Sequence, residues 1–484
     1  MQGGDTETQN PGRAAGCRVT NPYCLRITLI HSCNYHHPSI IIHLMKQIAF
    51  ISEHASPLAT LGSTDAGGQN VYVAELAKAL ARKHIKVDVY TRWEDSSLPK
   101  VVHWLPGIRV IHVAAGPIQP IPKEHLLSLM PAFLEDMLLF IREQHLNYEL
   151  VHAHFFMSAW VAGQLKSMLG IPFVVTFHAL GHVRRLHQKE ADCFPEERLA
   201  WEADAVRQAD AILAECPQDK SDLMECYDAA PEKIAIVPCG FSHKEFAPYC
   251  RQKARKILNL DPNERILLQL GRMVPRKGVD NVISALKFIK NEIENVRLVI
   301  VGGASERPDP LHCPETRRLM QLAAGLGVQD RVLFTGRKNR DMLRYYYAAA
   351  DLFITTPWYE PFGITPLEAM ACGTPVIGAH VGGIKYTVAD GTTGYLVPPK
   401  DPEALARKTV LALRDERKLA QMRTAALQRV NTLFTWKKVA AQVCEVYQEI
   451  GRQSRVIELR PSHILTRQAI ALGGLSAIMG NSVL

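Results

Sequence analysis

Between about residues 45 and 450, short unbroken apolar runs alternate with stretches whose apolar positions recur every three or four residues. The first pattern is that of a strand buried on both faces and the second that of an amphipathic helix. Their regular alternation predicts parallel α/β sheets. In the first half, strands are expected at about 46–52, 86–91, 108–114, 150–154, 173–177, 211–214 and 234–237. Helices lie between several of them; one at 69–83 puts Val71, Leu76 and Leu80 on one face. The second half restarts the scheme, with strands at about 266–271, 297–301, 332–335, 352–355, 375–378 and 395–397. Its helices fall near 279–292, 315–325, 340–349, 364–372 and 402–413. Residues 240–262, with Pro248, Pro262 and a Lys/Arg cluster, read as a linker. The fold class is therefore α/β, with two doubly wound domains over 45–245 and 255–432 that face one another across a cleft. In such sheets ligands bind outside the carboxyl ends of the strands.

The ends of the chain lack this order. Residues 1–44 show no helical or strand period, and their acidic opening lacks the basic region of a signal peptide. A buried-strand run begins at Met45, so the expectation is that Met45 is the functional start and 1–44 is a mis-called leader or a disordered arm. Past about 451 the pattern weakens into a tail, 451–484, whose Gly-rich end from Gly473 is expected to fray.

Composition narrows the class. With 484 residues, 47% hydrophobic and 21% charged, the chain is neither disordered nor collagenous nor a disulfide scaffold. No run of about 18 apolar residues suits a membrane span. The 11 cysteines are odd in number and scattered without a Cys-x-x-Cys pair, which reads as reduced thiols in the cytoplasm. Much of the formal charge of +8 sits in the tails: three Arg against Asp5 and Glu7 before residue 45, and four Arg against Glu458 after 450. The remaining +4 is spread without a basic block, so nucleic acid is not favoured as a partner. Attraction to phosphorylated ligands or to an anionic membrane surface stays open.

Three segments at expected strand ends carry unusual chemistry. Asp65-Ala-Gly-Gly-Gln-Asn70 precedes the first helix, and paired glycines let backbone N–H groups approach a phosphate or a sugar. It is not G-x-G-x-x-G, no P-loop occurs, and an ordinary glycine loop explains this segment equally well. Gly271-Arg-Met-Val-Pro-Arg-Lys-Gly278 sets three cations around a turn directly after a buried strand, which suits a diphosphate better than a solvated basic loop. Glu360-Pro-Phe-Gly-Ile-Thr-Pro-Leu-Glu368 places two glutamates about a helix start, with amides near Gly363 and Ile364 as donors. Glu368 could be a surface residue, but its neighbours Leu-Glu-Ala-Met-Ala-Cys-Gly are apolar, and a carboxylate in packed surroundings needs a partner.

In this order, the three segments resemble those of the GT-B glycosyltransferases, specifically the retaining family four (glycosyl transferases group 1). The first segment is similar to that of sucrose-phosphate-synthase-like and mycothiol-type members. The resemblance spans about 45–450 and implies two Rossmann-like domains with a last helix, 435–450, that crosses back to the first domain. It implies that Arg272 and Lys277 hold the donor diphosphate, that Glu368 bonds the ribose, and that Glu360 contacts the transferred sugar. Phe362, Gly363 and Ile364 join the donor site, Gly67 and Gly68 close over phosphate and sugar, and Asn70 points to the acceptor. His178, at the end of the strand from Phe173, falls where the family has an active-site histidine near the donor sugar; alone it reads equally as a structural hydrogen bond. His182 and the pair His152 and His154 have spacings that can hold a metal, but no third ligand is apparent, so no metal and no cofactor is assigned.

The activity implied is transfer of a hexose from a UDP-glucose or GDP-mannose type donor to a hydroxyl acceptor, with retention and without a metal. Two glutamates on one loop-helix segment are poorly placed to flank a scissile bond as a hydrolase pair. The acceptor is a soluble sugar or polyol or a lipid-linked one; the enzyme would act in the cytoplasm, with any membrane contact peripheral at the inner face. Alternatives are a non-catalytic nucleotide-sugar-binding or regulatory protein and a GT-B nucleotide-sugar epimerase. An NAD-linked oxidoreductase is weakest, lacking the glycine fingerprint.

Overall fold

The structure, a computed structural model, describes residues 45–59 and 67–458. The expected leader, Asp65, Ala66 and residues 459–484 of the expected tail lie outside the described residues.

Eight strands form the first sheet: β1 (Gln47–Ile51), β2 (Lys86–Arg92), β3 (Val101–Leu105), β4 (Ile108–Val113), β5 (Val151–His154), β6 (Phe173–Thr176), β7 (Ala211–Ala214) and β8 (Ile234–Ile236). Their order is β3-β4-β2-β1-β5-β6-β7-β8. The central strands are buried on both faces, as their apolar runs require. The second sheet holds β9 (Arg265–Leu270), β10 (Val296–Val301), β11 (Val332–Phe334), β12 (Leu352–Thr355), β13 (Val376–Ala379) and β14 (Gly394–Val397). Its order, β11-β10-β9-β12-β13-β14, is wholly parallel. In both sheets the strand order reverses beside the first strand, at the switch point where doubly wound folds bind ligands.

Several expectations need correcting. Strand β3 was not foreseen: it pairs antiparallel with β4 at the sheet edge, and its short run Val-Val-His-Trp-Leu, broken by His103, is half-buried or exposed throughout. The linker is not irregular throughout. Arg251–Ile257 is a helix, and buried Arg255 bonds Asp351, the Ala349 carbonyl and the carbonyls of Pro262 and Glu264. A further helix, Glu416–Leu433, begins where the Asp415 side chain accepts from the Lys418 N–H at 2.8 Å.

The last helix runs Trp436–Glu458, so 451–458 is helical rather than tail. It lies against the first domain: Trp436 meets Tyr72 edge-on at 5.5 Å, and the Tyr447 hydroxyl is 2.7 Å from His152 Nδ1. Phe241 N–H, at the end of the first domain, donates to the Phe434 carbonyl just before this helix. One buried cluster consequently runs from Phe50 and Tyr72 through Trp436 and Phe434 to Phe362 and Tyr347. Separate clusters cover the far face of each sheet. All eight described cysteines are free thiols, and no described helix is long and apolar enough to cross a membrane.

Candidate active site

A cavity of about 320 Å³ opens between the carboxyl ends of the two sheets. Glycines end two strands of its second-domain wall. At Gly271, after β9, and Gly303, just after β10, an added Cβ would meet nothing within 4 Å. Gly302 is different, since its Cβ would stand 1.9 Å from the Gly271 carbonyl; here the two loops pack backbone on backbone.

The turn Pro275–Lys277 carries the cations. Gly278 closes it at φ 65, with a Cβ position only 2.0 Å from the Thr356 carbonyl, so the loop is pinned to the end of β12. Lys277 is thereby directed at Glu360, with which it forms an ion pair. Burial pushes the Lys277 ammonium down to about 8, aided by Arg276 and Arg272 and opposed by Glu360. Burial alone would raise the Glu360 carboxyl, yet Lys277, Arg276 and Arg272 bring it below its ordinary range. Glu360 and Lys277 are thus charged partners at the cavity wall, with Arg272 beside them.

The Glu360 loop is held from behind. Its carbonyl accepts from the Gly383 N–H at 3.0 Å, and a Cβ on Gly382 would lie 1.9 Å from the same oxygen. Eight residues on, Glu368 is 2% exposed on the helix Ile364–Ala371. Its partners are the Tyr347 hydroxyl, donating at 2.9 Å, and Arg340 at 3.0 Å; Arg340 also donates to Glu245 at 2.7 Å. Burial raises the Glu368 carboxyl, while Arg340 and Tyr347 hold it back. The surface alternative for Glu368 is therefore set aside.

Across the cavity stands His178, in the left-handed region at φ 59, after β6. Both ring nitrogens have protein partners: Nδ1 lies 3.0 Å from Glu215 and Nε2 lies 3.2 Å from His154 Nδ1. Gly67 and Gly68 reach the cavity from the first domain, opposite Arg272 and Ile364 respectively. Lys123 and Arg184 also line the first-domain wall, each paired with a carboxylate, Lys123 with Glu124 at 3.2 Å and Arg184 with Asp192 at 2.7 Å.

Ten of the eleven residues singled out, namely His178, Glu360, Arg272, Lys277, Gly67, Gly68, Gly363, Ile364, Glu368 and Asn70, line this one cavity. Phe362 does not. Its ring is 2% exposed and packs edge-on against Phe434 at 6.1 Å, so it anchors the loop in the core instead of facing a donor. Asn70 also differs from its expected task. Its amide oxygen accepts from the Gly67 N–H at 2.9 Å and its amide nitrogen donates to the Ser56 carbonyl at 2.9 Å. Both ends hold the loop, which is a capping geometry rather than an acceptor contact. His152 is committed to Tyr447 and Thr176, and no cluster of three or more His, Cys, Asp or Glu is gathered as a metal site among the described residues. Arg340, Tyr347, Glu215 and the Gly382-Gly383 turn were missed, for none stands in a motif; each is recognisable only through the partner it holds.

Comparison with known proteins agrees with this geometry. The family model described as glycosyl transferases group 1 matches residues 251–429, and that described as glycosyltransferase family 4 matches 66–245. The D-inositol 3-phosphate glycosyltransferase of Corynebacterium glutamicum is 34% identical over 83% of this chain and 96% of its own length. The protein of that name from Xylanimonas cellulosilytica is 35% identical over 84% and 97%. Among solved structures, sucrose-phosphate synthase from Thermosynechococcus elongatus superposes with a TM-score of 0.77 at 35% identity, covering 84% of this chain and all of that one. These relatives are glycosyltransferases, which sets aside the binding-protein and epimerase alternatives. The chain belongs to the group 1, family 4 glycosyltransferases, and is an enzyme of the GT-B fold.

Proposed function

We propose that this enzyme moves a hexose, with retention, from a nucleotide-diphosphate sugar of the UDP-glucose or GDP-mannose type to a hydroxyl of a phosphorylated sugar or polyol. The observation that carries the reading is the concentration of Arg272, Lys277, Glu360 and Glu368 on one wall of the cavity, with His178 on the other. Arg272 and Lys277 hold the diphosphate and neutralise the charge that develops as the C1–O bond breaks. The acceptor oxygen attacks C1 on the face the diphosphate leaves, and its proton passes to the departing phosphate oxygen. Glu360, fixed by Lys277, bonds hydroxyls of the transferred sugar. Glu368, held between Arg340 and Tyr347, bonds the ribose. With two cations in place of a bound ion, the transfer needs no divalent metal, so EDTA should leave the rate unchanged.

Lys123 and Arg184, on the wall opposite the donor site, are paired with Glu124 and Asp192, and an acceptor phosphate that displaces either carboxylate would find a cation there. The names of the relatives at 34–35% identity, an inositol 3-phosphate glycosyltransferase and a sucrose-phosphate synthase, point the same way. The free thiols fit action in the cytoplasm.

Thermal-shift measurements against UDP-, GDP- and ADP-sugars test the donor. Saturation at about a hundred times Kd stabilises a protein by about 2.7 kcal/mol, enough for a clear rise in Tm. A rise with one base identifies the donor class; no rise with any of them refutes the reading.

A further inference from the structure

Behind His178 lies a line of buried polar groups that the transfer step itself does not use. The His178 imidazole is 8% exposed and the Glu215 carboxylate 5%. Glu215 follows β7 and accepts at 3.0 Å from His178 Nδ1 and at 3.3 Å from the Cys239 thiol. It is itself placed by its backbone N–H, which donates at 2.9 Å to Asp219 in the first turn of the helix Pro217–Tyr227. On the other side of the ring, His154 is wholly buried, its Nδ1 3.2 Å from His178 Nε2 and its Nε2 without a partner. The Tyr72 ring closes the pocket edge-on at 4.9 Å.

A carboxylate only accepts, so a proton resides on His178 Nδ1. A histidine with one ring nitrogen bound to a fixed carboxylate has its tautomer and ring orientation set by that bond. The backbone at 178 needs such support, because a left-handed φ on a non-glycine residue is strained and persists only where its surroundings impose it. Within the line, only Glu215 offers His178 a carboxylate on a rigid strand end.

We propose that Glu215 is a positioning residue for sugar transfer: it holds His178 with Nδ1 protonated and so fixes the left-handed segment that forms the first-domain wall of the cavity. The inference rests on the cavity being the transfer site, but its test does not depend on turnover alone. In the full-length protein with 15N-labelled histidine, the ring nitrogen shifts of His178, assigned by comparison with His178→Ala, report the tautomer without any substrate. The unmodified protein is expected to show Nδ1–H. Glu215→Ala should lose that single tautomer and lower kcat about 10–100-fold, by analogy with the loss of carboxylates that orient metal-binding histidines. KM for the donor should change little. Glu215→Gln, whose amide oxygen still accepts, should restore the Nδ1–H signal and most of kcat; it also serves if the alanine variant does not fold. An unaltered tautomer and kcat in Glu215→Ala would overturn the proposal, as would Nε2–H in the unmodified protein. Should the unmodified protein show Nδ1–H yet transfer no sugar from any donor, the functional reading fails and the tautomer result stands apart from it.

Discussion

Lys277 shows how one side chain's surroundings set the conditions under which the site works. Burial has brought its ammonium down to about 8, and the neighbouring Arg276 and Arg272 contribute to that lowering. Below this pH the group is charged and can meet a diphosphate; above it the free enzyme has one cation fewer. Donor affinity should therefore be steady on the acid side of about 8 and fall as pH rises through it. Titration calorimetry with the nucleotide diphosphate across pH 6.5–9.5, a range of about two pH units or less either side of the expected break, checks this. Lys277→Arg, whose guanidinium does not titrate there, should remove the break; a break that survives would assign it to another group. Glu368 differs in kind. Its carboxylate is enclosed by Arg340 and Tyr347, so its position is fixed before any ligand arrives.

At the scale of elements, the glutamate loop stands where it does because another loop occupies the space behind it. Gly382 has no room for a side chain, its Cβ position being 1.9 Å from the Glu360 carbonyl. Gly382→Ala should displace the loop, lower stability by about 1–3 kcal/mol in urea denaturation and depress kcat, with a fall in donor affinity. Unchanged kinetics would show that the loop's placement does not depend on this contact. The same loop shows what a sequence can disclose. Glu360, Gly363, Ile364 and Glu368 were legible because they lie within nine residues of one another at a predicted strand end. Gly382, Arg340 and Glu215 were not, since each acts through a partner distant in the chain. Strand β3 escaped for a different reason: its apolar run, Val-Val-His-Trp-Leu, is short, is interrupted by His103 and lies at a half-exposed sheet edge. The helix after Asp415 did leave a signal, an aspartate three residues before the Lys418 N–H it caps. Phe362 differs because adjacency in sequence to residues that line the cavity says nothing of which way a ring points; the core holds it.

For the whole molecule, the last helix ties the two sheets into one cleft. Trp436 is 4% exposed and joins Tyr72 of the first domain to the cluster beneath the second. Trp436→Ala should cost about 3–5 kcal/mol by the cavity it leaves, seen as a lower urea midpoint, and should weaken donor and acceptor binding together. Loss of stability without any effect on binding would confine the helix to a packing role. The cavity between the two sheets is where the functional account must hold. The stereochemical course of the reaction tests it most directly. Proton NMR of the product formed from an α-linked nucleotide sugar and a phosphorylated polyol, run beside Lys277→Ala and Arg272→Ala, reads both the anomeric configuration and the rate. The account predicts an α-linked product, with kcat lower by about 10²–10³ in each variant. A β-linked product, or variants that turn over as fast as the unmodified enzyme, would contradict it.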